Sequence, residues 1–331
     1  MFRKQTTRRR VLVGGAALAA SAALPARVSA QAVTRPVKII VGFPAGGGTD
    51  VIARLFAEKI RGPYASTVLI ENKPGAAARL SVEFVKNSDP DGTVMLYTPD
   101  FPITVYPSSF KSLPYDSVQD LIAVAPTTSS MLTFNVGPMV PATVTSLSDF
   151  VQWCKANPER ANFATTAAGG TPHFVGVMLA NASGVKMTPV HYRGGAPAMQ
   201  DLIGGHIAAA VNPTSEAMPL AEAGQLRILA VTGSERSRFL PNVPTIKEQG
   251  YDVVIDSWSG MFLPAKTPPD IVAALSKAIA DACKQPDIVE ALAKSGNDPG
   301  FIPQPEFAAR VKSDIARWAP VVKASGFVAT D

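Results

Sequence analysis

Val41-Gly42-Phe43-Pro44-Ala45-Gly46-Gly47-Gly48-Thr49-Asp50 turns an apolar strand into a helix through three consecutive glycines. Upstream, Val37, Ile39, Ile40 and Val41 form a short β-branched run; downstream, Val51/Ile52, Leu55/Phe56 and Ile60 recur at helical spacing. Glycines at such a join let backbone N–H groups approach a ligand, and the helix start adds unsatisfied donors and partial positive charge. Two readings fit: a cradle for a carboxylate or phosphate, or a tight turn with Thr49 or Asp50 as N-cap. Nucleotide motifs fail in detail. A P-loop needs Lys then Ser or Thr after its last glycine, whereas Gly48 is followed by Thr49 and Asp50, and the glycines lack the G-x-G-x-x-G spacing. Asp50 would also repel phosphates.

The N-terminus is an address. Arg8, Arg9 and Arg10 precede an alanine-rich apolar run to Leu24, and Val28-Ser29-Ala30 or Ala30-Gln31-Ala32 suits cleavage, so residues 1–32 read as a signal peptide of the twin-arginine type and the mature chain as periplasmic. No later segment has the ~18 uninterrupted apolar residues of a membrane span. Six of the 31 Lys and Arg residues lie in this leader, which holds no acid, leaving 25 against 26 Asp and Glu. The basic balance therefore belongs to the leader; no nucleic-acid surface and no direct membrane insertion is implied. Cys154 and Cys283 read as two buried thiols.

About 300 mature residues are enough for two domains. Short apolar runs alternate with helical patterns, the signature of α/β layers with largely parallel sheets. Strands are expected at 67–71 and 94–97, the latter ending at Thr98-Pro99-Asp100, which points back toward the glycine loop. A helix is expected from about Ala76 to Lys86. Two apolar runs, 121–124 and 131–134, flank Pro126-Thr127-Thr128-Ser129-Ser130 and read as a crossing between lobes. A second alternating set follows to 232, and 252–263, with Trp258 in its middle, returns to the first lobe. Two amphipathic helices close the chain, one carrying Ile271, Leu275 and Ile279, the other Phe307, Val311, Ile315, Trp318 and Val322, with Pro320 expected to bend or end it. Lobe 1 is thus 33–130 plus 251–331, and lobe 2 is 131–250.

The second lobe repeats the glycine device: Asn162-Phe163-Ala164 runs into Thr165-Thr166-Ala167-Ala168-Gly169-Gly170-Thr171-Pro172-His173 and a helix that Pro172 suits. Two facing loops describe a cleft gripping a small acid. At this point FPAGGGTD, ENKPGA, DPDGT, the loop ending in His173, HYRGGAPAMQDLIGG, AGQLRILAVT and FLPNVPTIKEQGY together resemble the periplasmic receptors of tripartite tricarboxylate transporters, often called Bug-type receptors, over essentially the whole mature chain. The resemblance implies a two-lobed, hinge-linked α/β periplasmic-binding-protein fold of type II-like form. It also implies capture of a small carboxylate for membrane permease subunits, with no cofactor and a monomeric receptor.

On matching positions it implies ligand contacts from Phe43, Ala45, Gly46, Gly47, Gly48, Thr49 and Asp50 in the first loop, and from Thr165, Thr166, Ala167, Gly169 and His173 in the second. Tyr192, Arg193 and Gly194 match an aromatic-basic-glycine step, and Trp258 matches an aromatic of the returning segment. Thr98 and Thr128 join the candidates at the strand end and the crossing. Asn212 stands where relatives usually carry an acid, which disfavours an amino acid held by its ammonium group. Ala77-Ala78-Arg79 replaces a usual glycine-glycine-asparagine step, and Arg79 either pairs with a ligand or lies along the surface.

Other chemistries have less support. No G-x-S-x-G pentad marks a hydrolase, and His173, His191 and His206 lack metal-ligand spacing. A signalling receptor of the same fold would share these motifs. The expected mechanism is closure on a carboxylate held by loop N–H groups and the hydroxyls of Thr49, Thr165, Thr166 and Tyr192.

Overall fold

A computed structural model describes residues 32–329. The leader, apart from Ala32, lies outside the described residues. Strand β1 (Val37–Val41) feeds helix α1 (Gly48–Ile60), followed by β2 (Val68–Asn72), α2 (Arg79–Lys86), β3 (Val94–Pro99) and two single-turn helices, α3 (Phe101–Thr104) and α4 (Tyr106–Ser109). Next come β4 (Leu121–Val136), α5 (Leu147–Ala156), β5 (Asn162–Thr165), α6 (Thr171–Ser183), β6 (Thr188–His191), α7 (Gly195–Ile203), β7 (Ala209–Pro213), α8 (Thr214–Glu222) and β8 (Arg227–Val231). The chain closes with β9 (Asp256–Pro264), α9 (Pro269–Cys283), α10 (Pro286–Lys294), β10 (Asp298–Pro299) and α11 (Gln304–Ser325).

The strands join in the order β2-β1-β3-β9-β4-β7-β5-β6, with β8 and β10 also on β4. Parallel ladders form both ends of this path, β2–β1–β3 and β7–β5–β6, because helical crossovers return each strand to the same edge. Every ladder made by β4 or β9 is antiparallel, so antiparallel pairing marks the middle of the path.

The crossing differs from its expected form. Residues 121–136 make one 16-residue strand in place of two short ones. Pro126 lacks an N–H, and the ladder with β9 shifts register between Ala123 and Ala125 and again between Pro126 and Thr128, which lets the strand pass the proline. The first part of β4 pairs with β9, and the last with β7 and β8. At the C-terminus, α11 runs through Pro320, and α10 adds a helix the sequence reading lacks. Buried Phe307 and Val311 bind the N-terminal part of α11 beside Trp258 and Phe262, while Trp318 and Val322 bind its C-terminal part in the core of β5, α5 and α6. Packing on both sides of Pro320 outweighs the one hydrogen bond it removes.

The stretch expected to open a helix at Ala76 also departs. Ala76, Ala77 and Ala78 all have left-handed φ values, 46°, 52° and 71°, and the α-helix begins at Arg79. Tyr106 Oη donates to Ala77 O at 3.0 Å, and Ser81 Oγ to Ala78 O at 2.7 Å, holding this turn. Cys154 and Cys283 are buried and unpaired.

Candidate functional site

Four helices begin at one chamber: α1 at Gly48, α6 at Thr171, α7 at Gly195 and α8 at Thr214, whose next two residues line its wall. Their N-cap residues are Gly47, Gly170, Gly194 and Pro213, and none supplies a side-chain cap. First-turn N–H groups and the positive ends of four dipoles therefore gather where an anion would be stabilised. The chamber has a volume of about 840 Å³, part of it open to solvent. A second chamber of about 1130 Å³ shares Phe43, Pro44, Thr166, Arg193 and Gly194 with it and is otherwise lined by Pro74 to Ala78, Ala167, Ala168, His191 and Tyr192. Among the described residues lining either chamber, Arg193 is the sole Lys or Arg.

The first glycine loop is built from within. Gly46 adopts φ +82°, a conformation costly for residues with a Cβ, and its N–H donates to Asp50 Oδ2 at 2.9 Å. Asp50 is 2% exposed and also accepts from Arg54 Nε at 2.9 Å and Nη2 at 3.0 Å, and from Asn72 Nδ2 at 2.9 Å. Burial pushes its carboxyl up, but hydrogen bonds from Arg54, Gly46 and Asn72 outweigh burial and hold it below the usual carboxylate value. Asp50 thus braces the loop, with its charge matched by Arg54. The N-cap of α1 is Gly47, so neither Thr49 nor Asp50 takes the capping role that an ordinary turn would give them.

The candidate residues divide between wall and scaffold. Phe43, Ala45, Gly47, Gly48, Thr49, Thr166, Arg193 and Gly194 line the first chamber, and Ala167 and Tyr192 line the second. Thr98, Thr128, Thr165, Gly169, His173 and Asn212 line neither chamber, nor do Gly46 and Asp50. The Thr165 hydroxyl is committed to its own turn, donating to Ala167 O at 2.7 Å and accepting Ala167 N–H at 3.2 Å. Tyr192 Oη donates to Asp201 at 2.7 Å, and Thr98 Oγ1 to Pro99 O at 3.1 Å. Of the hydroxyls expected to hold a ligand, Thr49 and Thr166 remain on the chamber wall. Arg79 lies over the Phe110 ring, 4.1 Å from its centroid, and donates to Ala76 O.

His173 props the second glycine loop from behind. Its Nδ1 accepts Gly169 N–H at 3.1 Å, and its ring packs against Phe174, His191 and Phe327. Burial and the neighbouring His191 lower its pKa to about 4. Asp100, on the wall of the first chamber, shifts the opposite way: burial raises it to about 7, Asp314 adds to the rise, and Thr171, Ser257 and Arg317 oppose it. On acidification from pH 7 to 5 the folded chain gains stability through Asp100, which takes up a proton it would lack unfolded. It loses stability through His173, which stays neutral while the unfolded imidazole charges. Each contribution is about 2 kcal/mol over this window. Denaturant titrations at the two pH values should show His173→Asn gaining stability relative to wild type on acidification and Asp100→Asn losing it; parallel profiles for all three proteins would disprove both assignments.

Several wall residues escaped the sequence reading. Ser257 and Ser259 alternate with Trp258 along β9, so the serines face the chamber while the indole enters the core. That period of two was readable. Glu216 was not, because only tertiary folding brings it to the glycine loop, whereas the strand end at Thr98-Pro99-Asp100 was expected to point there. Glu216 is half-buried, and its carboxylate accepts Asn212 Nδ2 at 2.7 Å and the Gly48 N–H. Burial raises its pKa against these two hydrogen bonds. The neutral Asn212 thus does not leave the cleft without an acid; it orients one. Gly195 makes this possible, since a Cβ there would stand 1.7 Å from Glu216 Oε2.

Contacts also cross between the two glycine-loop halves. Thr171 Oγ1 donates to Asp100 Oδ2 at 3.1 Å, and Ser109 Oγ to Gly169 O at 3.2 Å. Among the described residues no group of three or more His, Cys, Asp or Glu could hold a metal ion, and no helix is long and apolar enough to cross a membrane.

Known proteins resemble the chain over most of its length. Protein BugT of Bordetella pertussis is 32% identical over 310 residues, covering 93% of this chain and 94% of that protein. The solved structure of R. palustris Rpa4515 with adipate has a TM-score of 0.85 at 28% identity, covering 89% of this chain and 98% of the other. MatC (Rpa3494) from Rhodopseudomonas palustris with bound malate has a TM-score of 0.80 at 28% identity, covering 87% and 99%. Residues 52–327 match the family described as tripartite tricarboxylate transporter family receptor, and the chain belongs to that family.

Proposed function

We propose that the mature chain is a periplasmic receptor that captures a small carboxylate between two lobes and delivers it to the permease subunits of a tripartite tricarboxylate-type transporter, without catalysing a reaction. The observation that carries this reading is the convergence of four helix N-termini lacking side-chain caps on one chamber bounded by both glycine loops. Solved structures of relatives with adipate and with bound malate support the ligand class.

In this reading, residues 33–130 with 251–331 form one lobe and 131–250 the other, hinged where β4 and β9 pass between them, with the C-terminal part of α11 packed through Trp318 and Val322 into the core of the second. The ligand carboxylate takes those N–H donors of the loop at 43–49 that the chain leaves unspent, with Thr49 and Thr166 hydroxyls and Arg193 beside it; the Gly46, Gly48 and Gly194 N–H groups already donate to Asp50, Glu216 and Thr166 O. Charge-assisted hydrogen bonds of this kind contribute ~1.5–3 kcal/mol each. Closure removes water from the chamber and strengthens them. Thr171–Asp100 and Ser109–Gly169 then act as clasps across the closed cleft.

A thermal-shift screen of the mature protein against aliphatic and aromatic carboxylic acids tests the proposal. A true ligand at one hundred times its Kd stabilises the fold by about 2.7 kcal/mol, enough to move the melting temperature by several degrees. Flat melting curves across the panel would refute it.

A further inference from the structure

We infer that Glu216 sets the ligand class: the first chamber takes a monocarboxylate whose far end carries a hydrogen-bond donor, hydroxyl or ammonium, and turns away a second carboxylate. This inference rests on the receptor reading above and narrows it.

The helix ends that gather at the chamber are already met in part by the chain's own acids. Glu216 reaches across from α8 to accept the Gly48 N–H at the start of α1, and it lies so close to Gly195 at the start of α7 that no Cβ fits there. On another part of the wall, Asp100 accepts Thr171 Oγ1 at 3.1 Å and Ser257 Oγ at 3.3 Å. Behind Glu216, Asn212 spends its amide N–H on the carboxylate, and its Oδ1 is buried with no hydrogen-bond partner among the described residues. Glu216 and Asp100 thus put carboxylate acceptors on these walls, with the Ser215 hydroxyl beside Glu216. The cation, Arg193, stands at the boundary shared with the second chamber, beside Thr166 and Gly194.

A ligand meets these surfaces best in one orientation. Its carboxylate lies against Arg193 and Thr166, and its other end points at Glu216. A hydroxyl or ammonium there donates to the Glu216 carboxylate. A second carboxylate there would face a like charge at short range in a partly dry site, and would have to displace Glu216 from Gly48 to gain a donor.

Calorimetric titration of the mature protein with two length-matched series tests this. The probes are butyrate, 4-hydroxybutyrate, 4-aminobutyrate and succinate, and hexanoate, 6-hydroxyhexanoate, 6-aminohexanoate and adipate. In at least one series a donor-bearing acid should bind tenfold or more tighter than the diacid. Glu216→Gln should shrink that ratio at least tenfold, while Glu216→Asp, which keeps the charge, should retain the preference; melting curves establish that both variants are folded. A diacid binding as tightly as the donor-bearing acids, or an unchanged ratio in Glu216→Gln, overturns the inference while leaving the receptor reading intact. Binding by none of the eight overturns the inference, and the wider panel of aliphatic and aromatic acids decides the receptor reading.

Discussion

Replacing Arg193 with alanine should weaken carboxylate binding about tenfold or more while leaving the melting temperature of the free protein unchanged. The side chain is exposed and engages no described carboxylate in an ion pair, so the fold does not depend on it. Its position does depend on the fold. Tyr192 N–H donates to Thr165 O and Gly194 N–H to Thr166 O, which pins the Tyr192–Gly194 step against the second glycine loop on either side of Arg193. With no other Lys or Arg among the described residues on the walls of either chamber, its loss removes their formal positive charge from the site. A charged hydrogen bond contributes ~1.5–3 kcal/mol, and solvent exposure places Arg193 at the lower end of that range, which corresponds to about tenfold in Kd. The effect should diminish as salt is raised, because exposed charges are screened. Calorimetry at two ionic strengths checks both statements. Unaltered affinity at low salt would remove Arg193 from the binding surface.

Trp258→Ala should do the reverse, costing about 3–5 kcal/mol of stability and leaving affinity unchanged wherever the variant is folded. The indole is 1% exposed, packs against Phe262 and Phe307, and donates through Nε1 to Asp314 at 2.9 Å. Truncation opens a cavity in the core beneath β9 and leaves Asp314 without one of its donors, although Arg317 stays within 3.2 Å of it. Chemical denaturation measures the loss, and a ligand titration below the melting temperature measures affinity. A variant of normal stability that no longer binds would put Trp258 in the cleft.

The two glycine loops were legible because a β-branched run, consecutive glycines and a helical pattern each leave a local trace. Most strands and helices were legible for the same reason. The crossing strand was not, since Pro126 and the polar residues after it read as an interruption, and only pairing with β9 shows how register shifts carry the chain past them. The left-handed turn at Ala76–Ala78 was hidden by alanine's preference for right-handed helix, which the hydrogen bonds from Tyr106 and Ser81 override. Asp50 shows a subtler limit. Its presence beside the glycines was plain, but its role as an internal brace depends on Arg54 and Asn72 reaching the same carboxylate. Glu216 carries no local sign at all. It lies 168 residues beyond Gly48, and the chamber wall they share exists only once α1 and α8 meet.

A crystal structure of the mature protein with the tightest-binding acid from the screen tests the central claim most directly. The account predicts one carboxylate between the loop at 43–49 and the Thr166/Arg193–Gly194 wall, accepting backbone N–H groups from both sides. A ligand bound outside the two chambers, or held within them with its carboxylate away from both loops, would contradict it.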